Sequence, residues 1–208
     1  PAQHLFVQPV VDGGDGLWQR FTGNDNWVDD GSIPNAPFAD SAFAVFMGAA
    51  GTVAVDESLG AVDVSGMQFL TNGYVIQGDA LTLTGAQATI RVGDGTAASA
   101  GTTATIAAEL TGTAQLLKSD LGTLILTGTN SYTGGTAINA GVLQISADTN
   151  LGDAGGLLVF NGGTLRTTAD IDSARAVDIA STGMLLTDGG TTLGLTGAIS
   201  GAGDLVKI

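Results

Sequence analysis

The chain is 208 residues long, enough for one folded unit with a continuous core, and it contains no cysteine, so disulfides and thiolate metal sites are excluded. With 20 Asp+Glu against 6 Lys+Arg its formal net charge is −14, which argues against nucleic acid, bound chiefly through Lys and Arg on phosphates, and against docking on an anionic membrane face. The longest apolar run, between Asp40 and Asp56, is interrupted by Gly48 and Gly51 and is shorter than the ~20 residues of a spanning helix.

Residues 1 to about 48 differ from the rest. They hold Trp18 and Trp27, all four prolines, Phe6, Phe21, Phe38 and Phe43, and the charged turn Asp29-Asp30-Gly31. Irregular, aromatic-rich sequence ahead of a repeat array predicts an N-terminal cap covering an exposed first rung. Residues 49–208 are read as the array itself. From about Gly51 short alternating runs appear, such as Leu81-Thr82-Leu83-Thr84 and Thr89-Ile90-Arg91-Val92, with one set of side chains inward and the other outward. The Gly/Ala/Ser/Thr-rich stretch from Gly93 to Thr105 predicts a small-residue corner or a loop leaving the array.

Beyond it a Gly-x-Leu tripeptide returns at Gly122, Gly141, Gly163, Gly183 and Gly203, at steps of 19, 22, 20 and 20 residues. A period near 20 built from Thr/Val/Ile/Leu strands marks a stacked solenoid, each unit too short to bury its own apolar face. Three short strands and three corners fill such a unit, so the fold class is all-β, a parallel β-helix. Leu124, Leu143, Leu165, Leu185 and Leu205 are expected to form one inward stack. The glycines, with Asn and Asp, are expected to supply positive-φ corners. Asn139 and Asn161, 22 residues apart, fit successive corners. Their amides could bond along the axis, or each could simply tolerate a left-handed turn. The chain stops at Ile208, just after Gly203-Asp204-Leu205-Val206-Lys207, and reads as a piece of a longer protein.

The segment from Gly122 to Ile145, with Gly122-Thr123-Leu124, Asn130, Tyr132 and Gly134-Gly135-Thr136 in order, closely resembles the passenger-associated transport repeat of bacterial autotransporters. The repeat is placed at about 118–145. Leu116-Leu117-Lys118 resembles its entry, and Leu205-Val206-Lys207 the entry to a truncated second copy at 201–208. Trp18 and Gly23-Asn24-Asp25-Asn26-Trp27 resemble the opening of many such passengers. Ser119-Asp120-Leu121 departs from the usual small-residue approach to the Gly-Thr-Leu. The resemblance implies a right-handed β-helix exported through periplasm and outer membrane, by way of a C-terminal outer-membrane barrel of the same precursor, to the bacterial surface. It implies no single activity.

Candidate chemistry is sparse. His4 is the one histidine, so any Ser-His-Asp triad depends on it, and no Gly-x-Ser-x-Gly elbow or P-loop is present. Asp170 and Asp172, with Arg175 and Asp178 close by, could act on uronates or glycosides, or be solvated corners. Asp12-Gly13-Gly14-Asp15-Gly16 and Gly93-Asp94-Gly95 are similar to calcium loops, without the recurrence a calcium-binding repeat requires. Trp18, Trp27, Tyr74 and Tyr132 could be a carbohydrate platform or core. The expectation is a non-catalytic passenger fragment without cofactor or metal, most simply an adhesin for host cells, matrix or other bacteria, monomeric in dilute solution. The competing reading is a carbohydrate-active or other secreted enzyme, or its stalk.

Overall fold

The computed structural model describes residues 2–7, 11–20, 27–28 and 38–208. Gly23–Asn26, the Asp29-Asp30-Gly31 turn, Phe21 and all four prolines lie outside the described residues, as do the side chains of His4 and Phe6. The fold is a parallel β-solenoid of about eight turns. One 13-stranded and one 9-stranded sheet run its length, every rung contributing a strand to each. In the C-terminal half the first sheet stacks Gln115–Ser119, Thr136–Ile138, Leu158–Phe160, Val177–Ile179 and Ile199–Gly201. The second stacks Thr123–Leu126, Val142–Ile145, Thr164–Thr167, Gly183–Thr187 and Leu205–Lys207. Parallel pairing reaches back to Ala2–Val7 in the first sheet and to Gly16–Trp18 in the second.

The third side is discontinuous, unlike the three-strand rung expected. Leu81–Leu83 pairs with Leu110–Gly112, and Ile171–Ser173 with Leu193–Leu195. Between them the third side of two rungs is loop and a 3-10 turn, Asp148–Leu151. Of the Gly93–Thr105 stretch, residues 93–102 are a long corner carrying the exposed 3-10 turn Ala97–Gly101, and Thr103–Thr105 already belong to a strand of the second sheet.

Alternation fills the interior. Leu124, Leu143 and Leu165 are fully or almost fully buried and face one another in register with the partly buried Leu185. Leu205 departs from the expected stack. It stands opposite Gly183, two residues short of Leu185's partner, though still packed against the core. The tripeptide recurs after 20 residues there, whereas the rung takes 22, because the turn at Asp188–Thr191 lengthens the third side.

The expected positive-φ corners are supplied by glycines such as Gly112, Gly135, Gly162 and Gly201, and less by those of this motif. Among the latter only Gly141 has a positive φ, 63°. At Gly122 a Cβ would lie 2.6 Å from the Thr102 carbonyl, and at Gly183 2.6 Å from Phe160. Close approach of the neighbouring rung, more than corner dihedrals, demands glycine there.

Aromatic rings fill the N-terminal end. Trp18 and Trp27 lie 5.1 Å apart between centroids, Trp18 and Phe38 5.0 Å, and Phe46 stacks on Phe69 at 4.7 Å. Tyr74 continues the cluster, its hydroxyl donating to the Met47 carbonyl at 2.8 Å.

Candidate functional site

The four candidate platform aromatics, Trp18, Trp27, Tyr74 and Tyr132, are completely buried. They are core, and no sugar can stack on them. The carboxylate candidates do not converge either. Asp170 accepts from the backbone N–H and hydroxyl of Thr192 on the next rung at 2.8 and 3.0 Å. Asp172 is exposed opposite Gly194. Arg175, close to them in sequence, is 2 % exposed and turns toward the preceding rung. It donates to the Asp148 carboxylate at 2.9 Å and to the carbonyls of Asp148, Gly152, Asp153 and Gly156. The corner that these carbonyls line is built around the guanidinium.

At the calcium-like loops, Asp15 accepts from the Thr52 N–H at 2.7 Å. Asp94 accepts from the N–H and hydroxyl of Thr96, which hold its carboxyl down at about 2. Among the described residues no three His, Cys, Asp or Glu side chains gather as a metal site.

A surface feature does emerge on the outer face of the first sheet. Leu117, Ala137 and Val159 stand in register on consecutive rungs as its floor. Gln87 and Gln115 rise on one side, and Asn139 and Asn161 on the other, around a concavity of about 250 Å³. Gln87 Nε2 donates to Gln115 Oε1 at 2.7 Å, and Asn161 Nδ2 to Asn139 Oδ1 at 3.3 Å. Of the two readings of Asn139 and Asn161, the structure shows the axial amide bond, and neither residue has a positive φ; the glutamine pair was not foreseen, although its 28-residue spacing spans the long corner.

A second set of residues is internal and holds adjacent rungs together where the third side has no strand. Asn130, 6 % exposed, accepts from the Leu110 N–H at 2.8 Å and donates to the Asn150 carbonyl. Asn150 donates to the Gly128 carbonyl at 2.9 Å and accepts from the N–H groups of Ser146 and Ala147. The buried Tyr132 hydroxyl bonds the Thr136 hydroxyl at 2.7 Å. The Asn130 and Asn150 amides thus add side-chain links between rungs to the scattered backbone bonds of this side, such as Ser131 N–H to the Leu110 carbonyl, while Tyr132 fixes the corner within its own rung; these roles account for Asn130 and Tyr132 in the motif.

Residues 116–145 match the passenger-associated transport repeat family. Over 203 residues, 95 % of its length, the chain is 56 % identical to the adhesin BmaC autotransporter of Brucella suis biovar 1 (strain 1330). The chain therefore carries a passenger-associated transport repeat and is similar to a section of an autotransporter. The chain spans only 6 % of that relative's length. No solved structure matches it.

The transport repeat contains a residue whose inward position its place in the entry motif did not reveal. Strand alternation from the buried Leu116 turns Lys118 inward, where it is completely buried. Its ammonium donates to the carbonyls of Ser119 and Asp120 at 2.8 Å and of Ala140 at 3.1 Å, joining two rungs. Leu205-Val206-Lys207, which reads like the same entry, lies in the second sheet, and Lys207 is exposed.

Burial pulls the Lys118 ammonium down to about 8, with the Asp120 charge opposing. The unfolded chain then holds more protons than the folded one between pH 8 and the ordinary lysine value of 10.5. Stability should therefore rise with pH from about 8 to 10, by about 1.4 kcal/mol per unit at most. Above pH 10 the rise should reverse, because burial raises Tyr74 and Tyr132 and the unfolded tyrosines ionise first. Urea midpoints across pH 7–11 test this. Lys118→Met should flatten the rise, and an unchanged slope in that variant would assign it elsewhere.

Proposed function

We propose that the chain is a non-catalytic section of an adhesin passenger, held at the bacterial surface and presenting the flanks of its rod to host cells, matrix or other bacteria. The observation that carries the reading is the 56 % identity, over nearly the whole chain, to a protein named an adhesin. The buried aromatics and the diverging Asp170, Asp172 and Arg175 favour it over carbohydrate cleavage. In this reading residues 1–48 close the N-terminal end of the rod with the Trp18–Trp27–Phe38 cluster while contributing strands to its first rungs, and 49–208 continue the shaft. The transport repeat, at about 118–145, folds early outside the cell once the C-terminal barrel of the precursor has delivered it; the second copy expected at 201–208 is not part of this reading, since Leu205-Val206-Lys207 lies in the other sheet from Leu116-Leu117-Lys118.

The test is attachment. Beads coated with the 208-residue chain should bind cultured cells or matrix-coated plates above beads carrying a scrambled-rung control. Turnover of a uronate or neutral polysaccharide, abolished by Asp172→Asn, would replace the adhesin reading with the enzymatic one. Sedimentation should find monomers in dilute solution. Any self-association should strengthen from low to moderate salt, as a charge of −14 is screened within about 8 Å.

A further inference from the structure

We propose that the amide-walled groove on the outer face of the first sheet is a binding site for a neutral glycan bearing N-acetyl groups. The proposal rests on the adhesin reading and names a ligand class for it. Three observations converge.

The first is charge. The groove is lined by amide and aliphatic side chains without an ionisable group, although the chain carries −14 overall. Acidic ligands are repelled by the rod, and basic ones find no carboxylate in the groove to pair with. A neutral ligand meets neither obstacle.

The second is the direction of the two amide ladders. Gln87 donates toward Gln115, and Asn161 donates toward Asn139. Each bond occupies one lone pair of a central residue's carbonyl oxygen and turns that oxygen along the ladder, away from the centre. The groups left for a ligand at the centre are therefore the amino groups, Gln115 Nε2 and Asn139 Nδ2, one on either side of the floor. The carbonyls of Gln87 and Asn161 stand at the ends. Each amide is already oriented by its neighbour, which lowers the ordering cost of binding. Each donor, on its own side of the floor, asks for a strong neutral acceptor, and an acetamido carbonyl is one.

The third is the floor. Ala137 sits between Leu117 and Val159, so the centre is a shallow aliphatic dip beneath the two donors. An acetamido group has a methyl beside its carbonyl, which fits that dip. At about 250 Å³ the concavity falls short of the roughly 300–1,000 Å³ of drug-sized sites, and suits one sugar unit with its substituent. The ladder nonetheless extends over four rungs at about 4.8 Å each, so neighbouring sugars can lie along the rod. An extended peptide is the less suitable occupant. Thr136–Ile138 is paired on both edges, which leaves no backbone ladder for an added strand to join.

The test uses the 15N-labelled 208-residue chain with three probes: a β-1,4-linked trimer of N-acetylglucosamine, the glucose trimer of the same linkage, and a neutral Ala/Gln peptide. The N-acetylated trimer should shift the side-chain amide signals of Gln115 and Asn139 and the backbone signal of Ala137. The glucose trimer should need at least about tenfold more ligand. Gln115→Glu and Asn139→Asp are isosteric and keep both ladder bonds, since a carboxylate still accepts, but each removes a donor. Either should weaken the N-acetylated trimer about tenfold or more, and Ala137→Phe should abolish its binding. Equal response to the glucose trimer, a preference for the peptide, or indifference to both isosteric variants would overturn the proposal. Cell attachment unaffected by Gln115→Glu, in a chain that binds no trimer, would sink the groove and leave the adhesin reading standing. Trimer binding by a chain that attaches to nothing would do the reverse.

Discussion

Replacing Leu124 and Leu126 together with aspartate is expected to unfold the transport repeat at neutral pH. Both side chains are completely buried on the inward face of Thr123–Leu126. They lie against Ala104 and Ile106 on one side, and Leu124 against Leu143 on the other. A carboxylate placed there has no water and no prepared partner, and each costs several kcal/mol. Two such costs compare with the whole stability of a domain, about 5–15 kcal/mol. The strand signal in circular dichroism should fall, and amide protection should be lost across residues 116–145. Leu124→Met conserves volume and should cost less than about 1.5 kcal/mol. In a longer passenger carrying its barrel, the double substitution should slow the appearance of the rod outside the cell. Unaltered display would separate the repeat's folding from export.

The second large effect belongs to Arg175. Removing it with Arg175→Ala leaves the Asp148 carboxylate and four carbonyls of the 148–156 corner without their donor. Breaking a buried ion pair from one side costs about 3–5 kcal/mol. Arg175→Lys should restore little, because one ammonium cannot reproduce the spread of a planar guanidinium. Rungs of a solenoid contact only their neighbours, so the damage should stay local. Hydrogen exchange should speed at residues 148–156 and remain slow at Gln87–Val92 and Val62–Phe69, three and four rungs away. Uniform loss of protection would mean that the rod unfolds as one unit.

Much of this architecture was legible from spacing and alternation. The Gly-x-Leu period located the second sheet, and four of the five leucines stand where the period placed them. Leu205 did not, because the interval between motifs and the length of a rung are separate quantities. Corners set the latter, and a two-residue longer turn moves a strand without changing its inward phase. The same independence hid the glutamine pair, whose members stand opposite each other only after the Ala97–Gly101 excursion is subtracted. Lys118 was visible in principle. It follows Leu116 by two, and strict alternation sends it inward, but a charge is read as exposed by habit. Arg175 could not have been placed from sequence. Its neighbours there are acids, whereas its partners in space are carbonyls 19 to 27 residues earlier.

The parallel ladders also determine how the rod would carry tension. Backbone bonds run along the axis from rung to rung, so a pull on the two ends loads them in line, one interface after another. The terminal rung has a single neighbour and gives way first. A released rung of about 20 residues pays out about 70 Å of chain, where it had occupied about 4.8 Å of axis. A rod anchored at one end and held at the other thus lengthens in discrete steps under load. It limits the force reaching the contact at its far end and re-forms rung by rung when the load falls.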